Sequence, residues 1–310
     1  VIDYLKTRNI PLLCPINIHK PYSVWLKDQR GMDGGIMSQS VIMPELDGGI
    51  IPFVLSAQFK NDRGLYVFKP LPDRIKRFAS MSKKYLKLKT MNNKDKKLVI
   101  IYYKGPGQNS LNAAGLEVVP SLFNTLQNLK KAGYDTGKLP ATPDQLARDI
   151  QAKAPVFNPY AKGSITRYIE ESKPVEIASK KYKEWALNAF PDDLFADVVK
   201  RYGEAPGPYM SHGDNLVVST LKYGNVVLMP QPLPGYGENT SKLIHGAKQA
   251  PPHPYIAAYL WARFGFKADA IVHFGTHGSL EFTPWKQTAL SDYDWPDILI
   301  GDMPHFYIYI

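Results

Sequence analysis

Two histidines and a glutamate stand close together in the stretch AIVHFGTHGSLEF: His273, His277 and Glu281. Imidazole and carboxylate groups bind divalent metal ions and move protons, so this stretch predicts metal or acid–base chemistry. In a helix, the i, i+4 and i+8 spacing would place all three side chains on one face. Gly275, Gly278 and the β-branched residues before His273 argue against a helix here.

We therefore interpret the stretch as a strand that ends at His273, a turn that contains His277, and a helix whose first turn contains Glu281. In an α/β sheet this position is the carboxyl end of a strand, where ligands bind. The plainer alternative is that one histidine satisfies a buried backbone group and that Glu281 caps a helix. We favour that alternative for His273 but not for the pair His277 and Glu281.

Further polar and aromatic side chains follow in the last third of the chain. GNVVLMPQPLPGYGEN predicts a strand that runs into a loop, and PPHPYIAAYLWARF predicts a helix that opens at its prolines. The chemistry-bearing residues of this region are Gln231, Tyr236, Gly237, His245, His253, Lys286, Gln287, Asp297, Asp302 and His305.

The elements that would position these side chains alternate between strands and helices. KKLVIIYY predicts a buried strand, and the helix SLFNTLQNLKKAGYD after it ends near Gly133. The glycine loop between them, 105–115, matches neither G-x-G-x-x-G nor the P-loop, so we interpret it as an ordinary strand-to-helix crossing. We predict an α/β fold with parallel-sheet, Rossmann-like domains joined by helical segments.

Three parts of the chain differ in their patterns. Residues 1–68 predict the end of an α/β domain, 69–97 a basic helical connector, and 98–310 an α/β core domain with a helical insertion around 140–200. The apolar positions predicted for the connector helix are Ile75, Phe78, Ala79, Met81 and Leu86.

The net formal charge of +10 on the 310 residues is local. Between Lys69 and Lys104, twelve Lys or Arg stand against two acidic residues, so the remaining residues balance to zero. The basic stretch has too few aromatic residues to stack nucleic-acid bases, so we interpret it as a solvated face and predict no nucleic-acid partner. A patch that attracts an anionic ligand or partner is the weaker alternative.

Targeting signals and cysteine usage are the sequence features that bear on the cellular compartment of the protein. No apolar run approaches the roughly 20 residues that cross a bilayer, so we predict no membrane span. The chain begins with neither Met nor a signal peptide, and we expect an internal segment of a longer, cytoplasmic protein. Cys14, the one cysteine, predicts a buried thiol and not a nucleophile.

Four segments, in the family's order, resemble the large subunits of cobaltochelatase and magnesium chelatase. They are GNVVLMPQPLPGYGEN, PPHPYIAAYLWAR, HFGTHGSLEFTPWKQ and LSDYDWPDILIGDMPHFYIY. AGLEVVPSLFNTLQNL and IMPELDGG add a fainter likeness. The resemblance implies a fragment of an enzyme that binds a tetrapyrrole, of the haem or porphyrin type, and exchanges its metal. The divalent metal would be iron, cobalt or magnesium.

The same resemblance implies roles for individual residues. Glu281 and His277 would be catalytic, with Glu281 moving the pyrrole protons, while His273 and His277 would hold the metal. The residues expected to contact the tetrapyrrole are Gln231, Tyr236, Gly237, His253, Trp285, Lys286 and Gln287. Walls for the flat ring would come from Trp285, Tyr236, Phe282 and Tyr293, and its propionates would meet Lys286 or Arg263.

Trp285 is a departure from the family pattern, because relatives usually have Pro-Gly-Lys where this chain has Pro284, Trp285 and Lys286. An indole that stacks on a metallated ring leads us to favour iron removal from haem, as in a haem-uptake-associated branch of the family. The alternatives are cobalt or magnesium insertion with ATP-using partner subunits, and a tetrapyrrole-binding module without catalysis. The ordered motifs argue against an unrelated sugar- or nucleotide-binding α/β protein.

Overall fold

The computed structural model describes residues 1–103, 112–113, 116–157, 162–235, 250–275, 280, 283 and 286–309. The chain forms two compact units: unit 1 comprises Val1–Lys89 and Trp285–Asp302, and unit 2 comprises Thr90–Pro284 and Met303–Ile310. The predicted α/β class is confirmed by the strands and helices of both units. The domain boundaries predicted after residues 68 and 97 stay a prediction.

The helices and strands follow one another along the whole described chain. The strands are β1 (Leu12–Pro21), β2 (Gly49–Lys60), β3 (Tyr66–Pro70), β4 (Leu98–Tyr102), β5 (Asn112–Ala113), β6 (Leu116–Glu117), β7 (Val175–Ala178), β8 (Ser211–His212), β9 (Asn215–Val218), β10 (Leu221–Tyr223), β11 (Val226–Pro230), β12 (Ala270–Gly275) and β13 (His305–Tyr309). The α-helices are α1 (Ile2–Arg8), α2 (Tyr22–Lys27), α3 (Gly34–Met37), α4 (Met43–Leu46), α5 (Pro72–Thr90), α6 (Val118–Lys131), α7 (Pro143–Lys153), α8 (Lys162–Ser172), α9 (Ser179–Ala189), α10 (Asp192–Tyr202), α11 (His253–Leu260) and α12 (Trp295–Ile300).

Unit 1 is built on a three-stranded sheet in which β2 pairs in parallel with β1 and antiparallel with β3. Trp25 is 1% exposed in its core, and its indole Nε1 donates to the carbonyl of Ala289 over 3.0 Å. Gly31 has φ +73°, and a Cβ there would lie 1.9 Å from the carbonyl oxygen of Thr288. These contacts pack the segment around Thr288 and Ala289 against the N-terminal part of unit 1.

The basic helix α5 exists as predicted, but its buried face differs from the predicted one. Met81 is buried, whereas Ile75 and Leu86 are 41% and 59% exposed. Arg74 and Tyr85 are buried in their place. The prediction from apolar spacing did not identify this buried face of α5, because it placed only apolar residues on the inward side of the helix.

Burial of Arg74 is explained by its partners within unit 1. Its guanidinium lies 4.0 Å from the centre of the Phe53 ring and 2.9 Å from both Asp292 and Asp297. Arg77 also pairs with both carboxylates. Two cations and two anions thus neutralise one another, which is the condition for burying such charges.

The half-buried thiol of Cys14 differs in degree from the buried one predicted. Burial is the main cause that raises its pKa above the ordinary value. A raised thiol pKa disfavours the nucleophilic thiolate.

Unit 2 is built on a five-stranded sheet of order β10-β11-β4-β12-β13. Its four strands β11, β4, β12 and β13 are parallel, and β10 pairs antiparallel at the edge. Every residue of β4 and of β11 is buried, as expected for a sheet covered on both faces. A second sheet, β7-β9-β8, and the entirely buried helix α11 complete the core of this unit.

No helix of the described part of the chain is both long and apolar enough to cross a membrane.

Candidate functional site

The carboxyl edge of the five-stranded sheet is where the candidate site begins. Among the parallel strands, β4 is first in the chain, β11 second, β12 third and β13 fourth, so their order across the sheet is second, first, third, fourth. The chain therefore reverses its direction of progress at β4. In open α/β sheets ligands bind outside the carboxyl ends at this switch point, which here lies between β4 and β12.

The ends of β4 and β12 approach one another closely at that point. Tyr103 donates its backbone N–H to the carbonyl of Phe274 over 2.9 Å. Gly275 has φ +154°, and a Cβ there would lie 2.4 Å from the Cβ of Tyr103. A glycine is therefore required where β12 leaves the sheet.

The predicted catalytic residues His277 and Glu281 follow β12 directly in the sequence, and Tyr236 and Gly237 follow β11. All four, with Phe282, His245 and Trp285, lie outside the described residues. Their predicted roles stay predictions.

A series of polar side chains extends from this edge towards the amino end of β13, and we call it the polar row: Gln231, Tyr259, His273 and His305. The first three are buried and His305 is half-buried. Gln231 Nε2 donates to the Tyr259 hydroxyl over 3.2 Å, and that hydroxyl lies 3.0 Å from His273 Nε2. His273 Nδ1 lies 2.6 Å from His305 Nε2. Side chains from β12, β13, α11 and the end of β11 thus meet in one hydrogen-bonded series.

One arrangement of donors and acceptors that satisfies all three bonds of the polar row is as follows. Tyr259 accepts from Gln231 and donates its hydroxyl proton to His273 Nε2. His273 then carries its ring proton on Nδ1 and donates it to His305 Nε2. In this arrangement both imidazoles are neutral and each bond has one donor.

The surroundings of both imidazoles favour this neutral state. Burial, and then repulsion from His305, lowers the pKa of His273 well below its ordinary value. Burial lowers the pKa of His305 to about 4. At neutral pH the pair can accept a proton only against this desolvation.

The geometry of His273 bears on its predicted role as a metal ligand. Both of its ring nitrogens are engaged, one by Tyr259 and the other by His305. Coordination of a metal would break one of these bonds. Among the described residues, no group of three or more His, Cys, Asp or Glu side chains could hold a metal ion. The partners of His273 are side chains, not the backbone group that the plainer interpretation invoked.

His253 lies at the first position of α11 and is completely buried. Its Nε2 donates to the carbonyl of Gly203 over 2.9 Å, so its Nδ1 accepts from the hydroxyl of Tyr182 over 3.0 Å. Burial lowers its pKa. Both nitrogens join helices within unit 2, and a contact with the tetrapyrrole would have to displace one of these bonds.

Lys286 belongs to unit 1, and its side chain is fully buried. Its ammonium group donates to the carbonyl of Leu26 over 3.0 Å and lies 3.7 Å from Asp294, which is also fully buried. Burial lowers the pKa of Lys286. These contacts hold the segment in place, so binding of a propionate by Lys286 requires its release from them.

The other predicted ligand contacts are placed as follows. Gln287 donates its backbone N–H to Gln29 in unit 1 over 2.8 Å, and Tyr293 is 37% exposed there. Arg263, in unit 2, is half-buried with its guanidinium 4.8 Å from the centre of the Phe264 ring.

Two members of the polar row received no role from the sequence. His305 was noted for its chemistry alone, and Tyr259 looked like an ordinary apolar-face residue of α11. The alternation of HFYIY, which is typical of a strand, was the available signal for His305. No sequence signal joins it to His273, because the two residues are 32 positions apart.

The fold defines an α/β domain whose sheet has a switch point between β4 and β12, the position at which open α/β sheets bind ligands. The sequence profile described as CobN/Magnesium Chelatase matches residues 2–310. The chain belongs to the CobN/magnesium chelatase family.

Named relatives agree with this membership. The chain is 32% identical over 293 residues to the chloroplastic magnesium-chelatase subunit ChlH of Oryza sativa subsp. indica, covering 92% of this chain and 20% of that protein. It is 27% identical to the aerobic cobaltochelatase subunit CobN of Pseudomonas aeruginosa, covering 98% and 24%. The solved catalytic subunit of cobaltochelatase from Mycobacterium tuberculosis matches all of this chain and 26% of its own, with a TM-score of 0.84 and 29% identity. The chain thus spans about a quarter of the length of these relatives.

Proposed function

We propose that this chain forms the tetrapyrrole-binding, catalytic segment of a chelatase large subunit, which inserts a divalent metal ion into the macrocycle. The observation that carries the proposal is the polar row, which includes His273 of β12, the strand from which the His277 and Glu281 motif continues. Family membership supports the same reaction class.

The chemistry of insertion makes two demands on such a site. The incoming metal dication replaces two pyrrole N–H protons, so two protons must leave for each metal ion bound. A carboxylate at Glu281 is suited to accept each proton in turn and release it to water, and His277 is suited to present the metal. The neutral polar row adds hydrogen-bonding groups, without net charge, at β12.

Magnesium and cobalt are the metals in the names of the relatives, so insertion of one of them is the direction we propose. Removal of iron from haem, which the sequence favoured because of Trp285, has no support from the described residues. It is the alternative direction of metal exchange. The proposal includes ATP-using partner subunits, which would supply the free energy that drives metal insertion.

The test uses the full-length natural polypeptide that carries this sequence. It is incubated with metal-free porphyrin, Mg²⁺ or Co²⁺, ATP and the candidate ATPase subunits, and the visible spectrum is followed. A metallated product supports the proposal. Porphyrin binding without turnover, with either metal, would instead indicate a binding module.

A second incubation tests the opposite direction. The same polypeptide is placed with haem and a reductant under anaerobic conditions, and metal-free porphyrin and released iron are measured. Release of iron, without insertion in the first experiment, would replace insertion by removal.

A further inference from the structure

An apolar cavity of about 40 Å³ lies in unit 2 beside the carboxyl end of β11. Its walls come from the end of β11, from β9, from α11 and from the segment after α7. Its apolar lining includes Phe157, Met210, Val217, Met229 and Leu233. This volume is far below the roughly 300–1,000 Å³ that is typical of sites for whole small molecules, so the cavity suits a small substituent and not an entire ligand.

Hydrogen bonds from buried tyrosines hold one wall of this cavity in place. Three hydroxyl groups donate to backbone carbonyls of the segment at the end of α7, which continues into the lining residues 155–157. The bonds are Tyr168 to Lys153 (2.7 Å), Tyr102 to Ala154 (2.8 Å) and Tyr209 to Phe157 (2.9 Å). Such a wall is preorganised, so a ligand would not have to order it on binding.

The cavity is connected to the candidate site through one side chain. Gln231 lines the cavity and also donates to Tyr259, the second member of the polar row. A group that occupies the cavity would therefore lie next to the polar row.

The lining selects the kind of group that can enter. None of the described residues that line the cavity is Lys, Arg or His, and its polar side chains include those of Ser219 and Gln231. A carboxylate there would lose its hydration without gaining a cationic partner. An apolar substituent would instead gain by leaving water.

We infer that this cavity receives the apolar edge of the tetrapyrrole, with its small hydrocarbon substituents, and so orients the macrocycle with its carboxylates elsewhere. The inference rests on the proposed function and adds a specificity subsite to it. Residues of the cavity then discriminate among tetrapyrroles by the size of the substituents on that edge.

The test compares two metal-free porphyrins with identical propionates. Mesoporphyrin carries ethyl groups on the edge opposite the propionates, and deuteroporphyrin carries hydrogen there. Dissociation constants are measured by fluorescence titration with the full-length polypeptide. We expect mesoporphyrin to bind about tenfold more tightly, as the burial of one ethyl group implies.

Two variants fill the cavity from different walls: Ala258→Leu from α11 and Leu233→Phe from the end of β11. Each should abolish the preference for mesoporphyrin and leave the dissociation constant of deuteroporphyrin within about twofold. The matched control is Ala152→Leu, the same substitution at an exposed position of α7, which should keep the preference. Thermal melting identifies any variant that does not fold, and the other variant then decides.

Each outcome separates the subsite from the proposed function. If the native protein binds both porphyrins equally, or if a folded filling variant keeps the preference, the subsite is refuted and the proposed function stands. A native protein that binds neither porphyrin refutes both.

Discussion

His273 and His305 meet across the neighbouring parallel strands β12 and β13, with 2.6 Å between Nδ1 of the first and Nε2 of the second. The contact is diagonal, because His305 pairs in register with Ile271 and His273 pairs with Tyr307. His273 is 1% exposed, so water cannot replace His305 as its partner without a rearrangement. This relationship makes the pair sensitive to substitution and to pH.

Substitution of His305→Phe should destabilise the protein by about 1–3 kcal/mol, because it leaves the buried Nδ1 of His273 without this partner. Urea unfolding followed by circular dichroism measures the change. The matched control is His212→Phe, at a histidine whose side chain is 57% exposed and pairs with Glu176 at the surface. It should change the free energy of unfolding by less than about 1 kcal/mol. Equal effects of the two substitutions would contradict the assignment.

Acid should destabilise the protein through His305. Its folded-state pKa of about 4 lies below the unfolded value of about 6.5, so the unfolded chain binds the proton more readily between these values. The stabilising contribution is complete above the unfolded pKa and is lost as pH falls towards 4, by about 1.4 kcal/mol per pH unit at most for this residue. Unfolding free energies at pH 7.5, 6 and 5 measure the slope. A His305→Phe variant with an unchanged slope would count against His305 as its source.

Removal of the carboxylate in Glu281→Gln should lower chelatase turnover by roughly 10²- to 10⁴-fold, since this substitution keeps the shape and removes the proton acceptor. Steady-state kinetics of the full-length polypeptide measure the loss, and thermal melting shows whether folding is preserved. Unchanged turnover, or a loss that follows unfolding, would remove Glu281 from the mechanism.

Substitution of Lys286→Met should lower the free energy of unfolding by about 3–5 kcal/mol, because it leaves the fully buried carboxylate of Asp294 without its cation. The double variant Lys286→Met with Asp294→Asn should recover part of the loss. If Lys286 instead binds a propionate, the single variant will keep its stability and lose affinity for porphyrin. Unfolding curves and porphyrin titrations on the same samples distinguish the two roles.

Much of the secondary structure followed from local patterns. The strand predicted to end at His273 is β12, which continues to Gly275, and the buried run KKLVIIYY contains β4. The strand predicted in GNVVLMPQPLPGYGEN is β11, and the helix predicted to open at its prolines is α11, with Pro254 in its first turn. These predictions succeeded because alternation, continuous apolar runs and proline positions act through the neighbouring residues of the chain.

The burial of polar side chains was harder to predict. Arg74 was counted only as part of a basic surface, although the structure buries it against Phe53 and two carboxylates from residues 292–297. Lys286, which was expected to meet the tetrapyrrole, lies fully buried beside Asp294, and its expected role stays a prediction. Each of these positions depends on partners, and some of those partners are more than 200 residues away in the sequence.

The sequence by itself determined the α/β class, the order of the central elements and the family, since these depend on local patterns and on long ordered motifs. The tertiary structure alone decided that Gln231, Tyr259, His273 and His305 form one row, and that an apolar cavity lies beside Gln231. The physical reason is that a buried polar side chain must find its hydrogen-bond partner in space. Sheet order and helix packing bring that partner close, and neither is encoded by the spacing of residues along the chain.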